Sequence, residues 1–502
     1  MNSKKISEAV GELDERIVSP AAERRAECYQ EKEKKAGGKS GNRKRKIWFS
    51  VASAAACLGI AGGIFAMSRG SGIVVSASAE TLAEAVYPEA LPYPDEGQYI
   101  GSDGSFDGYA FDRVYEPWQE QKKARQEAAN RLGGLTEFYQ STIPVFLSGS
   151  GSENRVYSPI SLYSALAMLA ETTGGESREQ ILDLLNADNI EALREQAKNL
   201  WAANYRNDGA TTAILANSVW LNQGVDFVRE TVDRLAGDYY ASSYRGDPSS
   251  EEMNRLLREW LNEQTGGLLE EAADHTVLSP ETVMALYSTV YFRAKWDQVF
   301  QSANNDEKTF HAVGGDVTAE FMNATKDSGS YCWGEDYGAI FLRFADGGGM
   351  WLILPDEDKT TDDVLASGEY LEMIEKADRY EWENYQSLIV HYSIPKFDVS
   401  SEIGLNEGLK ALGVTDIFDW GIADFSPLAE NPEELYVSSA RHAARVVIDE
   451  EGCTAAAFTE MAVCGAGMPP EEEMDFVLDR PFLFVITGDT GSVLFAGTVN
   501  SL

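Results

Sequence analysis

Four histidines, His275, His311, His391 and His442, are all the imidazole that this 502-residue chain contains. A histidine does metal or acid–base chemistry when cysteines or carboxylates stand at fixed short spacings, and none of the four has such a setting. There is no Gly-x-Ser-x-Gly elbow, no His-Glu-x-x-His helix and no Walker phosphate loop. The 81 acidic residues offer carboxylate pairs by number alone, but no motif selects one. Five cysteines, Cys28, Cys57, Cys332, Cys453 and Cys464, show no Cys-x-x-Cys and no disulfide framework. No turnover chemistry, metal or cofactor is expected. His442, on an apolar strand, reads first as a satisfied core residue.

What remains is a segment suited to being acted upon. Ala444 to Ile448 (ARVVI) is a β-branched run, expected as a strand, and Glu450-Glu451-Gly452 ends it. Cys453, Thr454, Ala455, Ala456 and Ala457 are small enough to pack in almost any surrounding. Beyond Thr459 the chain turns loop-like, with Gly465, Gly467, Pro469 and Pro470 followed by three glutamates. Phe482 to Phe495 then gives two strand-like runs around Gly-Asp-Thr-Gly. Taken alone, this stretch reads equally well as a surface loop with a helix start at Thr454.

Far upstream, Ser158-Pro159 reads as a helix N-terminus, serine capping and proline in the first turn, ahead of the apolar run Leu162 to Ala170. Ala216 to Trp220 is strand-like. Asn254 to Leu269 carries Leu256, Leu257, Trp260 and Leu261 on one helical face, stopped by Gly266-Gly267. Met284 to Phe300 contains a further strand, and helical spacing runs from Ala128 through Leu132, Leu135, Phe138 and Tyr139.

Glu450-Glu451-Gly452-Cys453-Thr454-Ala455-Ala456-Ala457 resembles the hinge of the serpins, which reads Glu-Glu-Gly-Thr-Glu-Ala-Ala-Ala. Other blocks follow in the family's order: Asn154 to Ser161, Glu176 to Ile181, Met284 to Trp296, Met350 to Pro355, Ile394 to Asp398, Leu409 to Phe418, Ala423 to Ser426, Leu435 to Ile448 and Leu494 to Asn500. The resemblance covers Ala128 to Leu502. It implies an α+β serpin fold: a large central β-sheet, further sheets, eight to nine helices and an exposed reactive-centre loop. It also implies a protease inhibitor rather than an enzyme, whose loop is cleaved and whose hinge side enters the central sheet, trapping the protease as a covalent ester. Ser158, Ser161, Ser288 and His442 would lie where the sheet parts, Ser288 replacing the family's usual asparagine. Trp296, Lys396 and Glu450 would stand where the loop first enters.

Insertion imposes a sequence test, because side chains alternate between core and solvent along a strand. By family alignment the inward set is Cys453, Ala455, Ala457 and Thr459, all small. The outward set is Thr454, Ala456, Phe458 and Glu460, so the bulky residue and the charge fall on the tolerant face. The family's spacing puts the reactive bond at Ala466–Gly467, with Met468 as the alternative. Small residues there suit an elastase-like or subtilisin-like serine protease, and a cysteine protease is a second class of target. A non-inhibitory binding protein on the same fold is the competing reading.

The N-terminal quarter differs in character. Residues 1–46 hold thirteen Lys/Arg and eight Asp/Glu, a net of +5, so a chain total of −39 leaves −44 beyond them. That acidity excludes nucleic-acid binding by the remainder. Arg43-Lys44-Arg45-Lys46 abuts Ile47 to Met67, 21 residues without a charge, which as a helix would span about 31 Å. A membrane helix is expected over 47–67, with the basic residues 1–46 cytoplasmic and everything after Arg69 outside. Ala77-Ser78-Ala79 is a rival small-residue cleavage site, and Ala55-Ala56-Cys57 a poor lipoprotein box. Residues 68–127 are expected as a stalk, semi-extended over Glu80 to Gln121, whose aromatics are free to dock. The expectation is a single-pass, membrane-anchored, bacterial-type serpin acting as a monomer.

Overall fold

The computed structural model describes residues 79–453 and 472–502, apart from 102, 346, 378–380, 433 and 434. The expected cytoplasmic tail and membrane helix, the cleavage-site residues Ala77 and Ser78, the hinge residues from Thr454 onward, and Ala466, Gly467 and Met468 lie outside the described residues. In chain order the strands are β1 (Ala79–Ala83), β2 (Arg155–Tyr157), β3 (Arg206–Asn207), β4 (Thr212–Asn222), β5 (Ala241–Gly246), β6 (Met284–Lys295), β7 (Asp306–Ala312), β8 (Gly315–Trp333), β9 (Tyr337–Arg343), β10 (Gly349–Pro355), β11 (Tyr385–Pro395), β12 (Phe397–Gly404), β13 (Arg441–Ile448), β14 (Gly452–Cys453), β15 (Glu473–Val477), β16 (Phe482–Thr487) and β17 (Val493–Val499).

These strands form two sheets. The central one runs β1-β5-β4-β6-β14-β13-β12 with β3 beside β4, and the other runs β15-β11-β8-β9-β10-β16-β17-β2 with β7 beside β8. The long helices are α1 (Gly108–Ala129), α2 (Leu135–Leu147), α3 (Pro159–Thr172), α4 (Gly175–Leu184), α5 (Ile190–Asn204), α6 (Arg229–Asp238) and α7 (Glu251–Gln264). Four shorter helices, Glu270–Asp274, Thr361–Ser367, Glu369–Ala377 and Asn406–Ala411, complete the described set. The architecture is α+β, and from α2 onward about ten helices are described, close to the eight to nine expected.

Helix α3 is the floor beneath the central sheet, and its sequence explains why. Ser158 caps it, its side chain accepting from the Ser161 backbone N–H, and Pro159 fills the first turn. Leu162, Tyr163, Leu166, Ala167, Met168 and Leu169 are all buried, as befits a helix that is apolar on nearly every side. Helix α7 instead buries one stripe, Leu256, Leu257, Trp260 and Leu261, and Gly266 and Gly267 stop its last turn at φ of +59° and +79°.

The structure departs from the sequence reading upstream. The continuous helical spacing expected from Ala128 to Tyr139 is split: α1 ends at Ala129, and α2 begins after Gly134, which sits at φ +69°. The stalk expected over 80–121 is not semi-extended. Its first residues form edge strand β1, and its second half is α1, capped by Asp107 and accommodating Pro117. Phe111, Trp118, Arg125 and Ala128 are buried along one face, a heptad spacing that the prolines of the segment mask when it is read as turns. Trp118 and Phe111 are docked as anticipated, whereas Tyr109 faces solvent at 89% exposure.

Candidate functional site

The site is the top of the seam between β6 and β13. Among the described residues these strands are joined only through β14, whose Gly452 pairs with Lys295 and Cys453 with Ala294 on one side, while Cys453 pairs with Ile448 on the other. The hinge therefore already occupies the first two positions between the strands. Gly452 is required there: at φ +155° an added Cβ would lie 2.2 Å from the Ala294 carbonyl oxygen. Cys453 is 3% exposed, and burial pushes its thiol up to about 12, so it packs as a small apolar residue.

The residues around this mouth are held by name. The Trp296 indole N–H donates to the Asp449 carbonyl (3.0 Å), and its backbone N–H to the Glu451 carbonyl (3.0 Å). The Trp296 ring stacks on Phe344, centroids 5.1 Å apart. Lys396 Nζ lies 2.7 Å from Glu450 Oε1 and 3.0 Å from Glu320 Oε2. Asn305 Nδ2 donates to both carboxylates, at 2.7 and 2.9 Å. Desolvation pulls Glu450 upward, but bonds from Lys396, a backbone N–H and Asn305 outweigh it and hold the carboxyl below its ordinary value. The bond to Glu450 in turn raises Lys396. Lys295, at the end of β6, is lowered by burial to about 8 despite Glu451 nearby.

Lower in the seam lies a second cluster. His442 Nε2 accepts from the Ser158 backbone N–H at 3.0 Å, and its ring meets Tyr157 edge-on at 5.4 Å. Burial drops the imidazole from 6.5 to about 4, so it is neutral and an acceptor at Nε2. Ser161 Oγ donates to the Ser288 carbonyl at 2.8 Å and lies 3.5 Å from the Ser288 hydroxyl. Thus α3 is tied to β13 through Ser158 and to β6 through Ser161. Between them is a cavity of about 20 Å³, lined by Ser158, Ser161, Thr289, Tyr291, His442 and Arg445 among others, large enough for one water.

The structure thus brings together Trp296, Lys396 and Glu450 at the mouth, and Ser158, Ser161, Ser288 and His442 below it. His442 reaches Ser158 through the backbone rather than the hydroxyl, and no bond of it to Ser161 is present among the described residues. Asn305 and Glu320 belong to the mouth and were not foreseen, since they come from just before β7 and from β8, far in sequence from the hinge, without a local motif. Cys332 and Cys453 are both free thiols and buried.

Residues 136–502 match the family model described as Serpin (serine protease inhibitor). Serpin-ZXA of Oryza sativa subsp. japonica is 28% identical over 375 residues, covering 71% of this chain and 92% of that protein. Leukocyte elastase inhibitor A of Mus musculus is 28% identical over 383 residues, covering 74% of this chain and 98% of that protein. Among solved structures, the thermophilic serpin tengpin in its native state superposes with a TM-score of 0.64 at 28% identity, covering 73% of this chain and 93% of that one. The chain belongs to the serpin family, a family described as serine protease inhibitors and not as enzymes.

Proposed function

We propose that this chain is an inhibitory serpin: a protease cleaves the loop after the hinge, and the hinge side enters the seam before the acyl-enzyme ester is hydrolysed. The observation that carries this is β14, two hinge residues already paired between β6 and β13. Extending its register down β6 would set Ala455 against Phe292, Ala457 against Val290 and Thr459 against Ser288. The inward residues would all be small, and Thr459 would bring a hydroxyl to the polar cluster around Ser161. β6 has 12 residues, and Lys295 and Ala294 are already paired with β14, so insertion gains about ten further ladder positions. At roughly 0.5–1.5 kcal/mol net per hydrogen bond the sum is on the order of ~10 kcal/mol, enough to make insertion one-way.

The targets proposed are serine proteases with shallow pockets, elastase-like or subtilisin-like, cut at Ala466–Gly467 or beside Met468. No Arg or Lys stands between Glu460 and Glu473, which disfavours trypsin-like enzymes. The mouse relative is named as an elastase inhibitor, which agrees with this choice. The chain is further proposed to act as a monomer, held by a membrane helix over 47–67 with the serpin domain outside the cell, as a bacterial-type member. No helix among the described residues is long and apolar enough to cross a membrane. The test is incubation of the full chain with elastase, subtilisin, trypsin and papain, followed by denaturing electrophoresis. A complex surviving SDS with elastase or subtilisin is expected. Cleavage of the loop by every protease without any such complex would refute inhibition.

A further inference from the structure

Residues 79–129 precede the family match, which begins at 136, yet they are built into the fold at four places. β1 pairs with β5 as an added edge of the central sheet, and the Ala85 N–H continues the contact onto Ser242 Oγ at 3.1 Å. The Tyr87 ring lies among Trp201, Tyr205 and Tyr240, with centroids 5.5, 5.5 and 6.4 Å away. The Gln121 side chain clasps the extended stretch, accepting from the Leu91 N–H and donating to the Glu89 carbonyl. The Tyr93 N–H donates to the Asp208 carbonyl (2.8 Å), and the Trp118 indole N–H to its carboxylate (3.4 Å).

One contact reaches elsewhere. Arg125 of α1 lies 3.2 Å from Asp489, with side chains 9% and 11% exposed, and Arg206 of β3 reaches the same carboxylate oxygen at 3.6 Å. Asp489 stands in the turn between β16 and β17, in the second sheet. That sheet is fastened to the far half of the central one, because Ser401 of β12 bonds both the N–H (2.9 Å) and the carbonyl (2.8 Å) of Val156 in β2, and β2 pairs with β17. On the near half, α5 is fixed to β4 by the Trp201 indole bond to the Leu215 carbonyl at 2.9 Å.

Parting β6 from β13 therefore means moving β1, β5, β4, β6, β3 and α5 against β13, β12, β2, β17 and β16. The N-terminal segment grips the first group by β1, Tyr87 and Trp118 and the second by Arg125, adding to the ties that Arg206 of β3 and Asn204 of α5 make to Asp489 and Ser492 in the same turn. We infer that residues 79–129 are a strap that brakes opening of the central sheet, so that the rate of hinge insertion is set in part by a segment outside the residues that match the family model. The inference rests on the insertion reading above. It needs no contact with the target protease, because heat alone should drive an uncleaved loop into the seam.

The experiment follows conversion of the full chain, warmed in steps, into a form that no longer unfolds in the original transition and no longer traps protease. The variants are Arg125→Met, Tyr87→Ala and the milder Arg125→Lys, which keeps a charge facing Asp489 and folds most readily. Arg229→Ala, breaking an exposed pair with Asp233 on α6, is the control. Arg125→Met and Tyr87→Ala should convert at least tenfold faster than the parent, Arg125→Lys less than threefold faster, and the control at the parent rate. Equal conversion rates for parent, Arg125→Met and Tyr87→Ala would overturn the strap and leave insertion intact. A parent that never converts and traps no protease would overturn both. Should Tyr87→Ala fail to fold, the comparison between Arg125→Met and Arg125→Lys decides alone.

Discussion

His442 gives the most quantitative handle on the seam. It is buried, neutral, and accepts from the Ser158 N–H, and the charged residue lining its cavity is the cationic Arg445. Protonation would remove the acceptor and place a second positive charge there. The folded-state value of about 4 lies below the ordinary 6.5, so the neutral imidazole stabilises the fold fully above pH 6.5, and that contribution is lost as pH falls toward 4. A depression of that size is worth about 3 kcal/mol, with no discount for solvent because the ring is buried. The perturbation is His442→Gln, whose amide oxygen can still accept from Ser158 but does not titrate. The assay is the urea midpoint of both proteins at half-unit steps between pH 7 and 4. The parent should lose about 3 kcal/mol more than the variant across that range. Parallel pH profiles would show that His442 does not hold the seam by its neutral form.

Three further perturbations address the mouth. Gly452→Ala should expel β14, since its Cβ would meet the Ala294 carbonyl at 2.2 Å and the Lys295 Cα at 2.8 Å; hydrogen exchange at the Trp296 amide, bonded to Glu451, should then rise at least tenfold (about 1.4 kcal/mol or more). Glu450→Lys replaces the anion shared by Lys396 and Asn305 with a like charge, and heated gel filtration should show faster loss of monomer than in the parent. Cys453→Arg puts a cation at a position 3% exposed and should turn inhibition into plain cleavage, because an unpaired buried charge costs several kcal/mol; unchanged stoichiometry of trapping would argue against insertion.

Local chemistry made some of this architecture legible and left other parts dark. The Ser158 cap, the glycine stop after α7 and the β-branched run of β13 were readable because each depends on residues within one turn or strand. The inward hinge position at Cys453 followed from alternation only once family alignment had fixed its phase. That Lys396 and Glu450 meet came only from family resemblance, since 54 positions of chain separate them and charge alone selects neither from 42 basic and 81 acidic residues. Asn305 and Glu320 were invisible for the same reason. Helix α1 was missed on different grounds. Its one proline, Pro117, reads as a helix breaker, although Phe111, Tyr115, Trp118 and Arg125 repeat at helical spacing, and only packing against α5 reveals that Pro117 is tolerated near its middle.

The burial of Cys453 makes the hinge measurable from within. A thiolate is the species that reacts with alkylating reagents, and a thiol pushed up to about 12 supplies almost none near pH 8. Labelling of Cys453 must therefore wait for β14 to leave the seam, so its rate relative to an open thiol counts how often the mouth opens. Cys332, deep in β8 and also raised to about 12, waits for a far larger opening. With Cys28, Cys57 and Cys464 replaced by serine, the same chain would carry two clocks, one timing the hinge and one timing the whole fold. A reagent that stops the first without touching the second would identify a compound that closes the mouth.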